Sequence, residues 1–273
     1  MINPIHTQKL THSNRLEKSV IAITGAGSGN GKAAALRTGR EGASLYISDI
    51  NAELLEETIG DLKSEGINAQ GGIFDAANIN DAPRFIAAVK KAHGRIDVLV
   101  NNAGAVKVEP FPNVSEENWD WTMNLNLKGA FFLMQEAAKP MIDQQSGNIV
   151  NIASIAGTFG GPTSSPSYAA AKAGLVNLTT VAAAVLAQYT IRINAIAPGI
   201  INTPFHAPVD IAIGQEQLGL APGEHINTRV GIIPLGRLGE PEDVAATIAF
   251  LASEDAAHIS GETITVAGGM RSL

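Results

Sequence analysis

Val20-Ile21-Ala22-Ile23-Thr24-Gly25-Ala26-Gly27-Ser28-Gly29-Asn30-Gly31 is the stretch on which the reading of this chain turns. A short apolar run of strand length passes directly into a glycine-rich turn. The residues that follow, Lys32-Ala33-Ala34-Ala35-Leu36, are good helix formers with no breaker. Glycines allow a sharp turn and a close approach of backbone to ligand, and a helix start offers unpaired N–H groups and a positive dipole end. That combination holds a pyrophosphate. An acidic residue is required about 20 residues further on, at the end of a second strand. Ala43 to Ser48 reads as that strand, and Asp49 ends it, 18 residues after Gly31.

The alternation continues along the chain. A helix is expected over 52–65, with Leu54, Leu55, Ile59 and Leu62 on its buried side and Gly66 ending it. A third strand over 68–74 is closed by Asp75. A helix over 79–93 turns Phe85, Ile86 and Val89 inward, and Gly94 stops it before a buried strand over 96–100. Further helices are expected over 115–141 and 167–188, with strands over 148–152, 191–197 and 263–266. Strands that alternate with helices and lack hairpin turns imply right-handed crossovers. The fold class is therefore α/β, one doubly wound (Rossmann) parallel sheet of about seven strands with helices on both faces. Residues 1–17 are read as a loosely held arm and 18–273 as a single domain, with a lid loop over 203–235 and a short helix from Asp210 to Leu218.

Composition narrows the class of function. The 273 residues are 45% hydrophobic and 16% charged, which suits a compact folded chain. The formal charge of −7, without a Lys/Arg cluster, argues against a nucleic-acid or anionic-membrane partner. There is no cysteine, hence no disulfide and no thiolate chemistry, and no run of about 18 continuous apolar residues. A cytoplasmic location is expected. The six histidines form no zinc-ligand spacing, so no metal is expected.

Ligands of such a sheet sit beyond the carboxyl ends of the strands. That edge collects the glycine turn, Asp49, Asp75, Asn101-Asn102-Ala103-Gly104, Ser154, and Pro198-Gly199 with Thr203 shortly after. One helix beyond Ser154 lie Tyr168 and Lys172, four apart and so on one helix face. A free phenol is a poor acid–base at neutral pH, and a fixed positive charge nearby favours its ionised form. Ser154 has no histidine or acid in sequence to activate it as a nucleophile, but as a hydrogen-bond donor to a carbonyl it needs none.

These residues resemble the short-chain dehydrogenase/reductase family from about Ser19 to Gly269. The matching pieces are Thr24-Gly25-x-x-x-Gly29-x-Gly31, Asn101-Asn102-Ala103-Gly104, Asn126, Ser154, Tyr168-x-x-x-Lys172 and Pro198-Gly199. The resemblance implies a nicotinamide-dependent oxidoreductase acting on an alcohol/carbonyl pair, usually a homotetramer. It implies Tyr168 as general acid–base, Ser154 as the group that orients the substrate oxygen, and Asn126 as holder of a relay water. Lys172 is implied to bind the nicotinamide ribose and lower the tyrosine pKa. Gly25, Ser28, Gly29, Asn30 and Gly31 would cradle the pyrophosphate. Asp49 and Ile50 would flank the adenine ribose, Asp75 and Ala76 the adenine. Asn102, Ala103 and Gly104 would line the adenine-ribose side, and Pro198, Gly199, Ile201 and Thr203 the carboxamide and pyrophosphate region.

Three departures stand out. Asn30 replaces the usual apolar residue between two glycines, Ala267 stands where the family often has Asp, and Ser154 and Tyr168 are 14 residues apart, one more than the family pattern. Gly160, Gly161 and Pro162 are expected to absorb that extra residue.

A carboxylate at Asp49 accepts from both ribose hydroxyls and repels a 2′-phosphate, and neither Ser28 nor Ile50 supplies a cation for one. NAD is therefore the expected cofactor, and a small to medium, mainly apolar secondary alcohol or ketone the expected substrate. Competing readings are a 3-oxoacyl-thioester reductase, a non-catalytic NAD-binding regulator and a dehalogenase on the same fold. In the lid, Phe205, Ile211, Ile213, Leu218 and Leu220 are expected to close over substrate. His206, His225 and Arg229 are expected to face solvent. The helices from Ser115 and Tyr168 are apolar on more than one side, which predicts a second subunit against them.

Overall fold

The computed structural model of the protein describes residues 14–159 and 165–270. Seven strands form one parallel sheet in the order β3-β2-β1-β4-β5-β6-β7. They are β1 (Val20–Thr24), β2 (Ser44–Asp49), β3 (Ala69–Ile73), β4 (Val98–Asn101), β5 (Gly147–Ile152), β6 (Ile191–Pro198) and β7 (Thr263–Val266). The order reverses between β1 and β4, which opens a crevice at the carboxyl end of the sheet where a ligand fits. The pairing of Ile23 with both Ile47 and Val100 brings the ends of β1, β2 and β4 to that one edge. Strands buried on both faces explain the continuous apolar runs such as Val20 to Thr24.

Helices cover both faces: α1 (Gly29–Arg40), α2 (Ala52–Ser64), α3 (Asp81–His93), α4 (Glu116–Met123), α5 (Gly129–Gln144) and α6 (Pro166–Leu186). Two cores result. One holds Ile21, Ile23, Leu45, Val100 and Ile248. The other, on the opposite face, holds Ala22, Phe85, Leu99, Leu133 and Leu175. Consecutive β1 residues divide between them, as the alternation of side chains along a strand requires.

Several expectations need correction. The helix expected over 115–141 is two α-helices joined by a π-helical turn, Asn124–Lys128, and continues to Gln144 with Pro140 inside it. In α2, Leu54 is exposed at the N-terminal end while Thr58 takes a fully buried place. The lid has no single helix over 210–218. Its regular pieces are α7 (Ala207–Val209), a π-helical turn (Asp210–Gln215), α8 (Glu224–Thr228) and two 3-10 turns, Pro204–His206 and Arg229–Ile232. An unforeseen helix, α9 (Pro241–Ala252), packs on α1. Pro241 opens it, and Glu240 and Asp243 form a reciprocal capping box, a set of signals present in the sequence.

The arm is not loose over its described part. Leu16 is 1% exposed in the core, and Arg15 bridges Glu41 and Asp255. Residues 1–13 of the arm, and the loop of Gly160, Gly161 and Pro162, lie outside the described residues.

Candidate active site

The glycine turn is a close fit rather than a flexible one. Gly25 has φ +64, and a Cβ there would meet Ala103 Cα at 2.9 Å. A Cβ on Gly31 would lie 2.1 Å from the Gly25 carbonyl oxygen, so only glycine lets α1 start against the turn. Asn102 locks the arrangement. Its Nδ2 donates to the Thr24 and Gly25 carbonyls at 2.9 and 3.0 Å. Thr24 Oγ1 accepts from the Asn102 and Ala103 N–H groups at 3.1 and 3.0 Å. Thr24 and the Asn102 amide nitrogen therefore hold the cradle together, a role that sequence reading assigned to neither.

Asp49 ends β2 at the rim of the crevice. One carboxylate oxygen accepts from the Gly27 N–H and the other from the Asn51 N–H, both at 2.9 Å. These bonds fix the carboxylate beside the turn. Asp75, after β3, accepts from the Ala77 N–H at 2.9 Å, which shapes the loop that continues through Ala76.

A single cavity of about 840 Å³ runs from this turn to the lid. Gly25, Ser28, Gly29, Asn30, Asp49 and Ile50 line it at one end, followed by Asp75, Ala76, Asn102, Ala103 and Gly104. Pro198, Gly199, Ile201 and Thr203 form another wall, and Ser154, Tyr168 and Lys172 the middle. Gly31 and Asn126 do not line it. Gly31 is buried under the turn, and Asn126 is 1% exposed behind Gly104.

Ser154 follows β5, and its Oγ accepts from the Ala156 N–H at 3.1 Å, which directs the hydroxyl. It lines the same part of the cavity as Tyr168. Lys172, one helical turn on, is 3% exposed, donates to the Ile152 carbonyl at 2.8 Å, and lies 5.6 Å from the Tyr168 ring centre. Asn126 sits in the π-helical turn. Its Nδ2 donates to the Ala105 and Thr122 carbonyls at 3.0 and 3.1 Å, and its buried Oδ1 has no partner among the described residues. A Cβ on Gly104 would lie 2.8 Å from that oxygen and 3.3 Å from Lys172 Nζ. The missing side chain leaves a space between an acceptor and an amine that suits a relay water.

The electrostatics differ from the expectation for Tyr168 and Lys172. Burial pushes the Tyr168 phenol up, and the Ser154 hydroxyl opposes that rise. Burial pushes the Lys172 amine down to about 8. In the chain alone, the dry site disfavours the charged form of each group. The expected groups meet, but the acidity needs a further positive charge in the cavity.

The glycine cradle, the fixed Asp49, the unpartnered buried oxygen of Asn30 and the length of the cavity together fit a nicotinamide dinucleotide. Sequence reading gave Phe205 a place over substrate, and its ring lies against that of Tyr168 with centroids 5.6 Å apart. It missed the walls made by Trp121 and Phe159, which no periodic signal marks. It also placed three lid residues in solvent. His225 is 8% exposed, and His206 and Arg229 are partly buried in the cavity wall.

The family model described as enoyl-(acyl carrier protein) reductase matches residues 25–271. A 3-oxoacyl-[acyl-carrier-protein] reductase of Thermotoga maritima is 40% identical over 259 residues, 94% of this chain and 99% of its own. A 7alpha-hydroxysteroid dehydrogenase of Bacteroides fragilis is 37% identical, covering 94% of this chain and 96% of its own. Among solved structures, levodione reductase superposes with a TM-score of 0.89 at 34% identity, over 94% of this chain and 99% of its own. The chain belongs to the short-chain dehydrogenase/reductase family, as an oxidoreductase of the alcohol/carbonyl type with a nicotinamide cofactor.

Proposed function

We propose that the protein interconverts a secondary alcohol and a ketone with NAD(H), using Tyr168 as the acid–base. The observation that carries this reading is the meeting of Ser154, Tyr168 and Lys172 in the middle of one cavity whose far end is the glycine cradle. Ser154 holds the substrate oxygen, and Tyr168 exchanges a proton with it. Lys172 donates to the ribose hydroxyls, and Asn126 anchors the water through which the proton reaches solvent. When bound, the nicotinamide takes or gives the hydride, and in its oxidised form it brings the positive charge that favours the phenolate.

The preference for NAD rests on Asp49. Among the described residues no Lys or Arg lines the cavity at that end, and Lys32, the nearest in sequence, is turned to Glu57 and Asp61 at 2.9 and 2.8 Å. A 2′-phosphate there would meet a carboxylate and no cation. A second reading, reduction of a 3-oxoacyl thioester, draws support from the name of the Thermotoga maritima relative.

Self-association, as a homotetramer, is part of the same proposal. From Pro166 to Tyr189, the stretch built on α6 is long and apolar enough by composition to cross a membrane, with 28% of its most apolar window buried within one chain. It carries Tyr168 and Lys172 and packs on β6, so we assign its exposed Val181 and Val185 to contact with a second copy. A cytoplasmic location completes the proposal, in keeping with a chain that has no cysteine.

The test is a panel of secondary alcohols with NAD or NADP, followed by the absorbance of the reduced nicotinamide. Turnover with NAD above NADP is expected. Tight NAD binding without turnover of any alcohol would favour a regulator, and faster NADPH-driven reduction of a 3-oxoacyl thioester would favour the second reading.

A further inference from the structure

The lid end of the cavity carries basic groups that the reaction itself does not use. His225 lies in α8, 8% exposed, and neither ring nitrogen has a hydrogen-bond partner among the described residues. A buried imidazole left without partners forfeits at least one hydrogen bond, so a site that keeps one has a use for it. Gly214 makes room for it, since a Cβ there would lie 2.6 Å from His225 Cβ. Two further basic side chains line the same end. The His206 ring stands edge-on to Phe205 at 5.6 Å, and Phe205 in turn lies against Tyr168. Burial first, then the charges of Arg229 and His225, hold His206 down to about 4. Arg229 is partly buried and has no ion pair or hydrogen bond among the described residues.

The one carboxylate lining this end, Asp210, is engaged through one oxygen, while its buried Oδ1, next to Gly214 and His225, has no partner among the described residues. One of its oxygens accepts from the Gly223 N–H at 2.8 Å and from Gln215 Nε2 at 3.1 Å, which pins the lid turn. The two acidic groups of the opposite end, Asp49 and Asp75, flank the cradle. An apolar row, Tyr168 to Phe205, thus leads from the reacting hydroxyl to the Arg229 guanidinium, the half-buried His206 ring and the unpartnered His225 imidazole. A purely apolar substrate would leave the buried His225 ring without a partner, at a cost comparable to a lost hydrogen bond, and would bring no counter-charge to Arg229.

We propose that this end of the cavity binds a carboxylate, or a like oxyanion, carried by the substrate at the end remote from its carbonyl. Arg229 supplies the charge, and His225 and His206 supply N–H donors. The substrates are then oxo acids and hydroxy acids rather than simple ketones and alcohols. This inference rests on the alcohol/ketone reading of the site, yet its test does not need turnover.

Hexanoate and hexanamide, which lack a reacting carbonyl, are titrated by calorimetry into the full chain loaded with NADH. A charge-assisted pair gives hexanoate an advantage of about tenfold or more over hexanamide. Arg229→Gln is expected to bring that ratio close to one, and His225→Phe to lower it about threefold. His206→Asn, at a partly exposed position, serves as a further variant should His225→Phe fail to melt cooperatively. Equal affinities for the two ligands in the natural protein, or a ratio unmoved by Arg229→Gln, would overturn the proposal. Absence of turnover in the alcohol panel would sink the reaction and leave this binding result to stand or fall separately.

Discussion

Lys172 is held in a place where its charge is costly, 3% exposed with its amine on the Ile152 carbonyl. Its pKa falls from 10.5 to about 8 on folding because burial disfavours the ammonium. Between those values the unfolded chain binds a proton that the folded chain has released, so stability rises with pH across that window. Below pH 8 the full penalty is present. Relative to Lys172→Met, the natural protein without cofactor should gain roughly 3 kcal/mol between pH 7 and pH 10.5, read from denaturant melts at several pH values. No change in that difference would show that Lys172 keeps its ordinary pKa. At Asp49, a charge repels another about 4 Å away by roughly 1–4 kcal/mol. Asp49→Ala should therefore raise the ratio of kcat/KM with NADP to that with NAD by about tenfold or more, and an unchanged ratio would mean another group sets the choice. At this scale most of the site was legible, because Tyr168, Lys172, Asp49 and Ser154 fall at strand ends or one helical turn apart. The burial of His225 was not, since it depends on Gly214 lying next to it in a segment without period.

The elements that sequence reading placed well are those with one strong local signal, such as β1 entering the glycine turn or α3 ending at Gly94 in a left-handed conformation. The break in the helix around Asn126 carries no such signal. Its π-helical turn lets Asn126 reach the Thr122 carbonyl one turn back and the Ala105 carbonyl, the latter a tertiary contact that only the assembled fold supplies. Helix α9 is a different case. Pro241, Glu242 and Asp243 mark its start, and Val244, Ile248, Ala249 and Leu251 are its buried side, yet the long loop before it obscured the period. Its capping box makes a direct test possible. Glu240→Ala should cost about 1 kcal/mol by leaving N–H groups at the helix start unpaired, with a lowered Tm and little change in kcat. A loss of activity larger than the loss of stability would show that α9 positions the cavity.

For the whole molecule, the parallel seven-stranded sheet was legible from alternation alone, and the edge where its ligand groups gather followed from the strand order. Assembly leaves a weaker trace, since an apolar helix face reads alike whether it is covered by the same chain or by another. Val181 and Val185 are 51% and 57% exposed on α6, and under the proposed self-association Val181→Asp with Val185→Asp should give smaller species in sedimentation velocity. An unchanged sedimentation coefficient would remove that face from the interface. The proposed reaction ties these scales together, because in it the cradle, the lid and Lys172 all serve one phenol. The most direct measurement compares the natural protein with Tyr168→Phe, with NADH affinity read by fluorescence and turnover by absorbance. The account predicts affinity within about twofold and turnover reduced by about a hundredfold or more. A Tyr168→Phe enzyme that binds NADH as well and turns over at the natural rate would contradict it.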